Sequence, residues 1–212
     1  DGNTQWTASL DMKVSSGLTM HNKNIYFGTN DGMYHGYDLE TLINPYSLFD
    51  SLNFIDFLDD KALESTMSVQ LKSEASSPAI GIDDLIIIKL DDGDTSAINI
   101  KNNNIEWNYK GRNVPLSIKG SGSIASQNNN IYVPRDDGNI ISLVSSSGKL
   151  NWLASISPRS GRNELESLRD VEIAPVISNG VLFIGSYQGN LISIDTLNGN
   201  IIWSRPMSVM SH

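Results

Sequence analysis

The pentapeptide GNIIW, residues 199–203, belongs to a motif that occurs four times along the chain. The same frame, a Gly or Asn followed four positions later by Trp, returns at GNTQW (2–6), NNIEW (103–107) and GKLNW (148–152). These pentapeptides contain every tryptophan of the protein: Trp6, Trp107, Trp152 and Trp203. A motif that returns in this way indicates a repeat architecture, in which one structural unit is built several times.

A second glycine stands at a fixed distance before the tryptophan. Segments rich in β-branched and aromatic residues end in glycine at NIYFGTNDG (24–32), LIIIKLDDG (85–93), NIYVPRDDG (130–138) and VLFIGSYQG (181–189). In the last three, the next tryptophan follows that glycine by 14 residues. A short strand precedes each segment, and an alternating strand such as NLISID (190–195) follows it. The pattern predicts units of four short antiparallel strands joined by tight turns.

The first unit departs from this spacing, and two residues compete for its tryptophan position. Tyr46 follows Gly32 by 14 residues, whereas Met67 precedes Gly93 by 26 residues, the same interval that separates Trp6 from Gly32. We favour Met67, which leaves about 21 extra residues in the last hairpin of this unit.

The extra residues carry a helical pattern between positions 44 and 65. Leu48, Leu52, Ile55 and Leu58 fall on one helical face, and Ser47 is a suitable N-cap. We expect a short amphipathic helix, whose apolar face packs on its own unit or contacts a partner.

Composition limits the classes of function. With 39% apolar and 18% charged residues among 212, the chain has the balance of a globular protein. A net charge of −9 argues against nucleic-acid binding, because no excess of cations is left to neutralise phosphates. No apolar run is long enough for a membrane-spanning helix. Cysteine is absent, which excludes disulfides and thiolate chemistry from this chain.

Four-stranded units at intervals of about 45 to 50 residues predict an all-β fold, a β-propeller of which about four blades are present. We expect each tryptophan on the outermost strand of its blade, wedged between neighbouring sheets. The glycine before it supplies the positive φ of the hairpin. The predicted segments are a trailing strand of an earlier blade at 1–10, then blades at 11–72, 73–111, 112–157 and 158–212.

Two long connections between blades stand out from the repeat. YKGRNVPLSIKGSGS (109–123) and SISPRSGRNELESLRDVEIAP (155–175) link the last strand of one blade to the first strand of the next. Equivalent connections of adjacent blades emerge on the same face of a propeller. Apolar residues beside charges of both signs suit a protein-binding patch. The alternative is that the apolar side chains fold back under the connection while the charges are solvated.

These residues resemble the pyrroloquinoline-quinone-type propeller repeat. More specifically, VPLSIKGSGSIAS (114–126) and LRDVEIAPVISNGVLFIGSYQGNLISIDTLNGNIIW (168–203) are similar to the BamB family, propeller lipoproteins of the bacterial outer-membrane β-barrel assembly machinery. The resemblance implies a non-catalytic scaffold at the periplasmic face of the outer membrane, without a cofactor. The partner that it implies is the barrel-inserting protein BamA, contacted through its periplasmic domains.

The resemblance also implies which residues contact that partner. Positions that match the family's Leu-x-Leu-Arg run and Asp-x-Asp pair are Leu116, Ile118, Lys119, Asp170 and Glu172. Ile118, Lys119 and Glu172 depart conservatively from the pattern. Lys119 departs most, because lysine lacks the planar bidentate fork of arginine.

The family has eight blades behind a lipidated cysteine, so we expect this chain to be an internal fragment. About one blade would be missing upstream and three downstream. Its open blade faces predict self-association.

Two other functions remain as alternatives. A quinoprotein dehydrogenase shares the repeat, but the adjacent cysteine pair and a recognisable set of calcium ligands are missing. DDGD (91–94) lies where a hairpin turn is required, and the turn is the better interpretation than a calcium loop. A propeller that binds some other protein is the third possibility.

Overall fold

The computed structural model describes residues 12–40, 65–75, 77–111, 122–156, 174–185 and 190–206. Within these ranges, sixteen strands form four sheets of four strands each. The first sheet contains β1 Thr19–His21, β2 Asn24–Gly28, β3 Met33–Asp38 and β4 Met67–Gln70. The second contains β5 Ile80–Ile82, β6 Leu85–Lys89, β7 Thr95–Asn99 and β8 Asn104–Tyr109. The third contains β9 Ala125–Gln127, β10 Asn130–Pro134, β11 Asn139–Val144 and β12 Leu150–Ser155. The fourth contains β13 Val176–Ser178, β14 Val181–Gly185, β15 Asn190–Asp195 and β16 Ile201–Pro206.

Each sheet is an antiparallel meander, with its strands paired in the order of the chain. The turn between the second and third strands ends in a glycine with positive φ, +84° at Gly93 and +76° at Gly138. Only glycine adopts this conformation without a steric penalty, which explains the recurring Asp-Gly pair. The predicted all-β propeller of four-stranded antiparallel blades is confirmed.

The apolar core lies between consecutive sheets. Alternate residues of each strand point to opposite faces, so that one face of β10 packs on the second sheet and the other on the fourth. Ile131 and Val133 join a cluster with Ile87 of the second sheet, whereas Tyr132 packs with Leu182 of the fourth. A third cluster joins the first and second sheets. Burial on both faces requires the continuous apolar runs seen in the second strand of each unit.

Tryptophan side chains fill the space between consecutive sheets, at the edge formed by the last hairpin of each sheet. The Trp107 indole donates from Nε1 to the carbonyl oxygen of Ser145, 2.9 Å away. Its ring lies over Gly148, where an added Cβ would stand 2.5 Å from Cε3. Trp152 repeats both contacts with Thr196, at 2.9 Å, and Gly199. The prediction that tryptophan wedges between sheets is therefore confirmed for Trp107 and Trp152, and the receiving surface is the hairpin glycine of the next sheet.

Met67 occupies the tryptophan position of the first sheet. It pairs with Gly36 in β3, as Trp107 pairs with Ala97 in β7. Its side chain is buried in the cluster between the first and second sheets. The preference for Met67 is confirmed. Tyr46 and the amphipathic helix expected between 44 and 65 lie in a segment, 41–64, that is outside the described residues.

Candidate partner-binding face

Both long connections leave their sheets beside an Asp-Gly turn. Tyr109 at the end of β8 pairs with Thr95, which follows the turn that ends at Gly93. Ser155 at the end of β12 pairs with Asn139, which follows the turn that ends at Gly138. The connections therefore start at the same edge of neighbouring sheets. We call this edge the turn face, defined by the turns that end at Gly32, Gly93 and Gly138.

The connections also return to the turn face. Ala125, at the start of β9, pairs with Tyr132 near the end of β10 that leads into the next Asp-Gly turn. Val176, at the start of β13, pairs with Phe183 in the same relationship within the fourth sheet. The ends of both connections therefore lie on one face of the molecule.

The five predicted partner-binding residues lie within these connections. Leu116, Ile118 and Lys119 fall in 112–121, and Asp170 and Glu172 fall in 157–173; both segments are outside the described residues. The structure therefore describes the strand ends from which the two segments depart and to which they return. The role of the five residues in partner binding remains a prediction.

Lysine–aspartate pairs join consecutive sheets across the turn face. Lys72, just after β4, lies 2.9 Å from Asp92 and 3.1 Å from Asp94 in the turn of the second sheet. Lys89 at the end of β6 lies 2.6 Å from Asp136 in the turn of the third sheet. The Lys89 side chain is only 2% exposed, so its charge depends on such partners. The turns thus fix the first sheet relative to the second and the second relative to the third.

Asp94 has a second role at the start of the first connection. Its Oδ1 accepts a hydrogen bond from the backbone N–H of Gly111, 2.8 Å away. Burial alone would raise the pKa of Asp94, but the hydrogen bonds from Gly111 and Lys72 outweigh it and hold the pKa below the ordinary value. Asp94 is therefore ionised at neutral pH and anchors the chain where the connection begins.

The sequence DDGD (91–94) forms the turn between β6 and β7, as expected. Gly93 donates its N–H to Leu90 across the turn at 2.9 Å. In the part of the chain that the structure describes, no group of three or more His, Asp or Glu side chains is placed to share a metal ion. Over the same ranges, there is no helix with the length and apolar character needed to cross a membrane.

The sequence interpretation missed Asp94 as an anchor. The equivalent residue is Met33 in the first sheet, Asn139 in the third and Asn190 in the fourth. Alignment of the repeats shows a charged residue at this position in the second sheet alone, and this difference is the signal that could have identified the anchor. It was not recognised, because an aspartate in a turn is usually solvated or hydrogen-bonded to its own turn.

Comparison of sequences relates the chain to one group of proteins. The outer membrane protein assembly factor BamB of Shewanella oneidensis is 30% identical over 133 residues, covering 63% of this chain and 33% of that protein. BamB of Yersinia pestis is 26% identical over 192 residues, covering 91% of this chain and 44% of its own length. The chain thus spans a third to less than half of these curated relatives.

Comparison of structures finds the same architecture. The crystal structure of BamB from Moraxella catarrhalis matches 96% of this chain and 56% of its own with a TM-score of 0.79, at 19% sequence identity. A quinohemoprotein alcohol dehydrogenase from Comamonas testosteroni matches 63% of this chain and 21% of its own with a TM-score of 0.52, at 17% identity. At these identities the structural matches show a shared fold alone.

The family assignment rests on the sequence model that matches the chain. The model described as outer membrane protein assembly factor BamB matches residues 62–212, which include the second, third and fourth sheets. That range holds three of the four tryptophans and both long connections. The chain therefore belongs to the BamB family of outer membrane protein assembly factors.

Proposed function

We propose that this chain is part of a non-catalytic scaffold that assists the assembly of β-barrel proteins in the bacterial outer membrane. The observation that carries the proposal is the match to the BamB family over residues 62–212. In this proposal the protein works at the periplasmic face of the outer membrane, where the full-length form is lipid-anchored. Its partner is a BamA-like barrel protein, which it binds through the periplasmic domains of that partner.

The proposed mechanism is positional. Both connections start and end on the turn face, which supports a single binding surface formed by the two together. Leu116 and Ile118 would supply apolar contacts, while Lys119, Asp170 and Glu172 would supply charges of both signs around them. Such a surface holds a partner domain in a fixed orientation, with the apolar residues at its centre and the charges at its rim.

No catalytic residue or cofactor enters this proposal. The curated relatives quoted above are named as assembly factors. The dehydrogenase similarity covers only 21% of that enzyme and concerns the fold, so it transfers no chemistry to this chain.

Binding of the immobilised chain to the purified periplasmic domains of a BamA protein tests the proposal. Leu116→Ala should weaken binding by about 1–2 kcal/mol, because a central apolar contact is lost. Asp170→Lys should slow association and change its salt dependence, because rim charges act mainly on the encounter rate. Neither change should alter the unfolding temperature.

Matched controls come from the opposite edge of the sheets. Leu150 lies at the start of β12, beside the hairpin between β11 and β12, and is 40% exposed, and Asp84 lies in the turn between β5 and β6. Leu150→Ala and Asp84→Lys should therefore leave binding unchanged. Equal binding by all four variants and the parent would contradict the assignment of the patch. A large loss of stability in Leu116→Ala would instead place Leu116 in the core.

A further inference from the structure

The start of the first long connection differs from the equivalent position in the neighbouring sheets. After β4, Leu71 donates its backbone N–H to the carbonyl of Gly32 at 2.8 Å. After β12, Ile156 donates in the same way to Gly138 at 3.0 Å. After β8, the equivalent residue Gly111 donates to the carboxylate of Asp94. A side chain thus replaces the turn carbonyl as the acceptor at this position.

The backbone geometry explains why residue 111 is glycine. A Cβ at this position would overlap the carbonyl group of Gly93, an immobile backbone neighbour. The chain passes directly over the turn of its own sheet, and only a residue without a side chain fits there. The close approach lets the Gly111 N–H reach the Asp94 carboxylate, a charge-assisted bond that is stronger than a bond to a neutral carbonyl.

Asp94 is held from the opposite side by the preceding connection. The Lys72 ammonium contacts its other oxygen, Oδ2, at 3.1 Å. The Asp94 side chain is 5% exposed, whereas that of Lys72 is 63% exposed, so the carboxylate is the fixed member of the pair. One buried carboxylate therefore ties the segment that follows β4 to the segment that follows β8.

We infer that Asp94 is a positioning residue, which sets the direction in which the chain leaves the second sheet toward 112–121. It acts through Gly111 and need not touch a partner itself. The connection that Asp94 anchors contains Leu116, Ile118 and Lys119, so the effect of Asp94 on partner binding rests on the function proposed above. The effect of Asp94 on the start of the connection is independent of that function.

Hydrogen exchange on the whole chain tests the anchor directly. Asp94→Ala should accelerate amide exchange at Gly111 by about tenfold or more, because a hydrogen bond to a charged acceptor is lost. Exchange at Ile156 should stay as in the parent, since its N–H is held by a backbone carbonyl. Asn139→Ala is the matched control, because Asn139 occupies the Asp94 position of the third sheet and should leave exchange at both amides unchanged.

Two further variants separate the contribution of the Gly111 hydrogen bond from that of the Lys72 ion pair. Asp94→Asn keeps an oxygen acceptor for the Gly111 N–H and should retain most of the protection. Lys72→Met removes the cation and leaves the Gly111 bond in place, so it should produce a smaller acceleration than Asp94→Ala. In NMR spectra, the Gly111 amide proton should shift on acidification in the parent and stay fixed in Asp94→Asn, because its acceptor titrates in the parent alone.

The outcomes are distinguishable from those of the proposed function. If Asp94→Ala behaves like Asn139→Ala, or accelerates exchange equally at Gly111 and Ile156, the inference is overturned. If it accelerates exchange at Gly111 alone and weakens binding to the BamA periplasmic domains by about tenfold, the inference is supported. If the parent does not bind those domains, the proposed function fails, while the exchange data still decide the role of Asp94.

Discussion

The indole ring of Trp107 lies against Gly148, which belongs to the last hairpin of the following sheet. Gly148 has φ +65°, so this glycine meets two requirements at once. It provides the left-handed turn for its own sheet and the free surface on which the tryptophan of the preceding sheet packs. The motif GKLNW (148–152) therefore acts in two junctions, Gly148 toward the preceding sheet and Trp152 toward the following one.

Gly148→Ala should be more destabilising than an ordinary glycine substitution at positive φ. The left-handed conformation costs about 1–2 kcal/mol for a residue with Cβ. Contact with the Trp107 ring adds about 1–3 kcal/mol of overpacking. Gly180→Ala is the control, because Gly180 has φ +77° but its added Cβ would meet only Thr196 Oγ1 at 3.7 Å. Urea unfolding should give a larger loss of free energy for Gly148→Ala; equal losses would contradict the packing role.

The first junction allows the converse experiment. Met67 stands where the other sheets have tryptophan, and Asn103, with φ +57°, stands in the last hairpin of the second sheet at the position that is Gly148 in the third sheet and Gly199 in the fourth. Met67→Trp should cost about 1–3 kcal/mol, because the larger ring meets a side chain at this position. Adding Asn103→Gly should recover part of that loss, with a coupling energy of about 0.5–3 kcal/mol in a double-mutant cycle. Strictly additive effects would show that the two positions are independent.

Asp94 should make stability sensitive to strong acid. Its pKa in the folded protein lies below the ordinary value of 3.8, so the unfolded chain binds the proton more readily. The stabilisation is present above pH 3.8 and is lost as the pH falls through the folded pKa. Between pH 5 and pH 2.5, the unfolding temperature of the parent should fall more steeply than that of Asp94→Asn. Parallel curves would mean that Asp94 does not contribute through its charge.

His35 should affect stability at milder acidity. It is buried in the first sheet, with ring centroids 6.0 Å from Phe27 and 6.4 Å from Tyr37. Burial lowers its pKa, and the nearby Asp31 opposes this only in part. The unfolded chain therefore gains the proton first, and stability falls as the pH drops below the ordinary value of 6.5. His35→Phe should make the unfolding temperature less dependent on pH between pH 7 and pH 5. An unchanged slope would assign that pH dependence to other groups.

The fourth sheet should promote self-association. Val176, Ile202 and, in the last hairpin, Leu197 are 62%, 54% and 87% exposed at one end of the row of sheets. Leu197→Ser with Ile202→Thr should shift the weight-average mass toward that of a monomer in sedimentation at rising concentration. The control is Leu153→Ser in β12 of the third sheet, where Leu153 is 53% exposed between two neighbouring sheets. A parent that stays monomeric at all concentrations would contradict the prediction.

The repeat pattern predicts most of the fold, because it reports local requirements. The positive φ of a turn and the alternation of a strand are set within a few residues, and both are visible in the sequence around Gly93 or Gly138. The same regularity placed Met67 in the tryptophan position despite the long insertion. The fold class and the alignment of the repeat units therefore followed from spacing alone.

The contacts between sheets were harder to anticipate. Gly148 was assigned a role in its own hairpin, whereas its contact with Trp107 comes from the preceding sheet and depends on how the two sheets stack. Asp94 was interpreted as part of a turn, although its partners Lys72 and Gly111 come from two other segments of the chain. Such roles depend on side-chain direction in three dimensions, which the spacing of a single sequence does not contain.

The interlocking of tryptophan and hairpin glycine sets an order of events during synthesis. Trp107 finds its acceptor 38 residues later in the chain, at Ser145, and Trp152 finds its acceptor 44 residues later, at Thr196. At ordinary translation rates each junction closes about 2–9 s after its tryptophan has been made. During that interval the newest sheet exposes an indole ring, and closure passes along the chain from the amino-terminal side, one neighbour at a time. A defect in a hairpin glycine therefore leaves unfinished the sheet that was made before it.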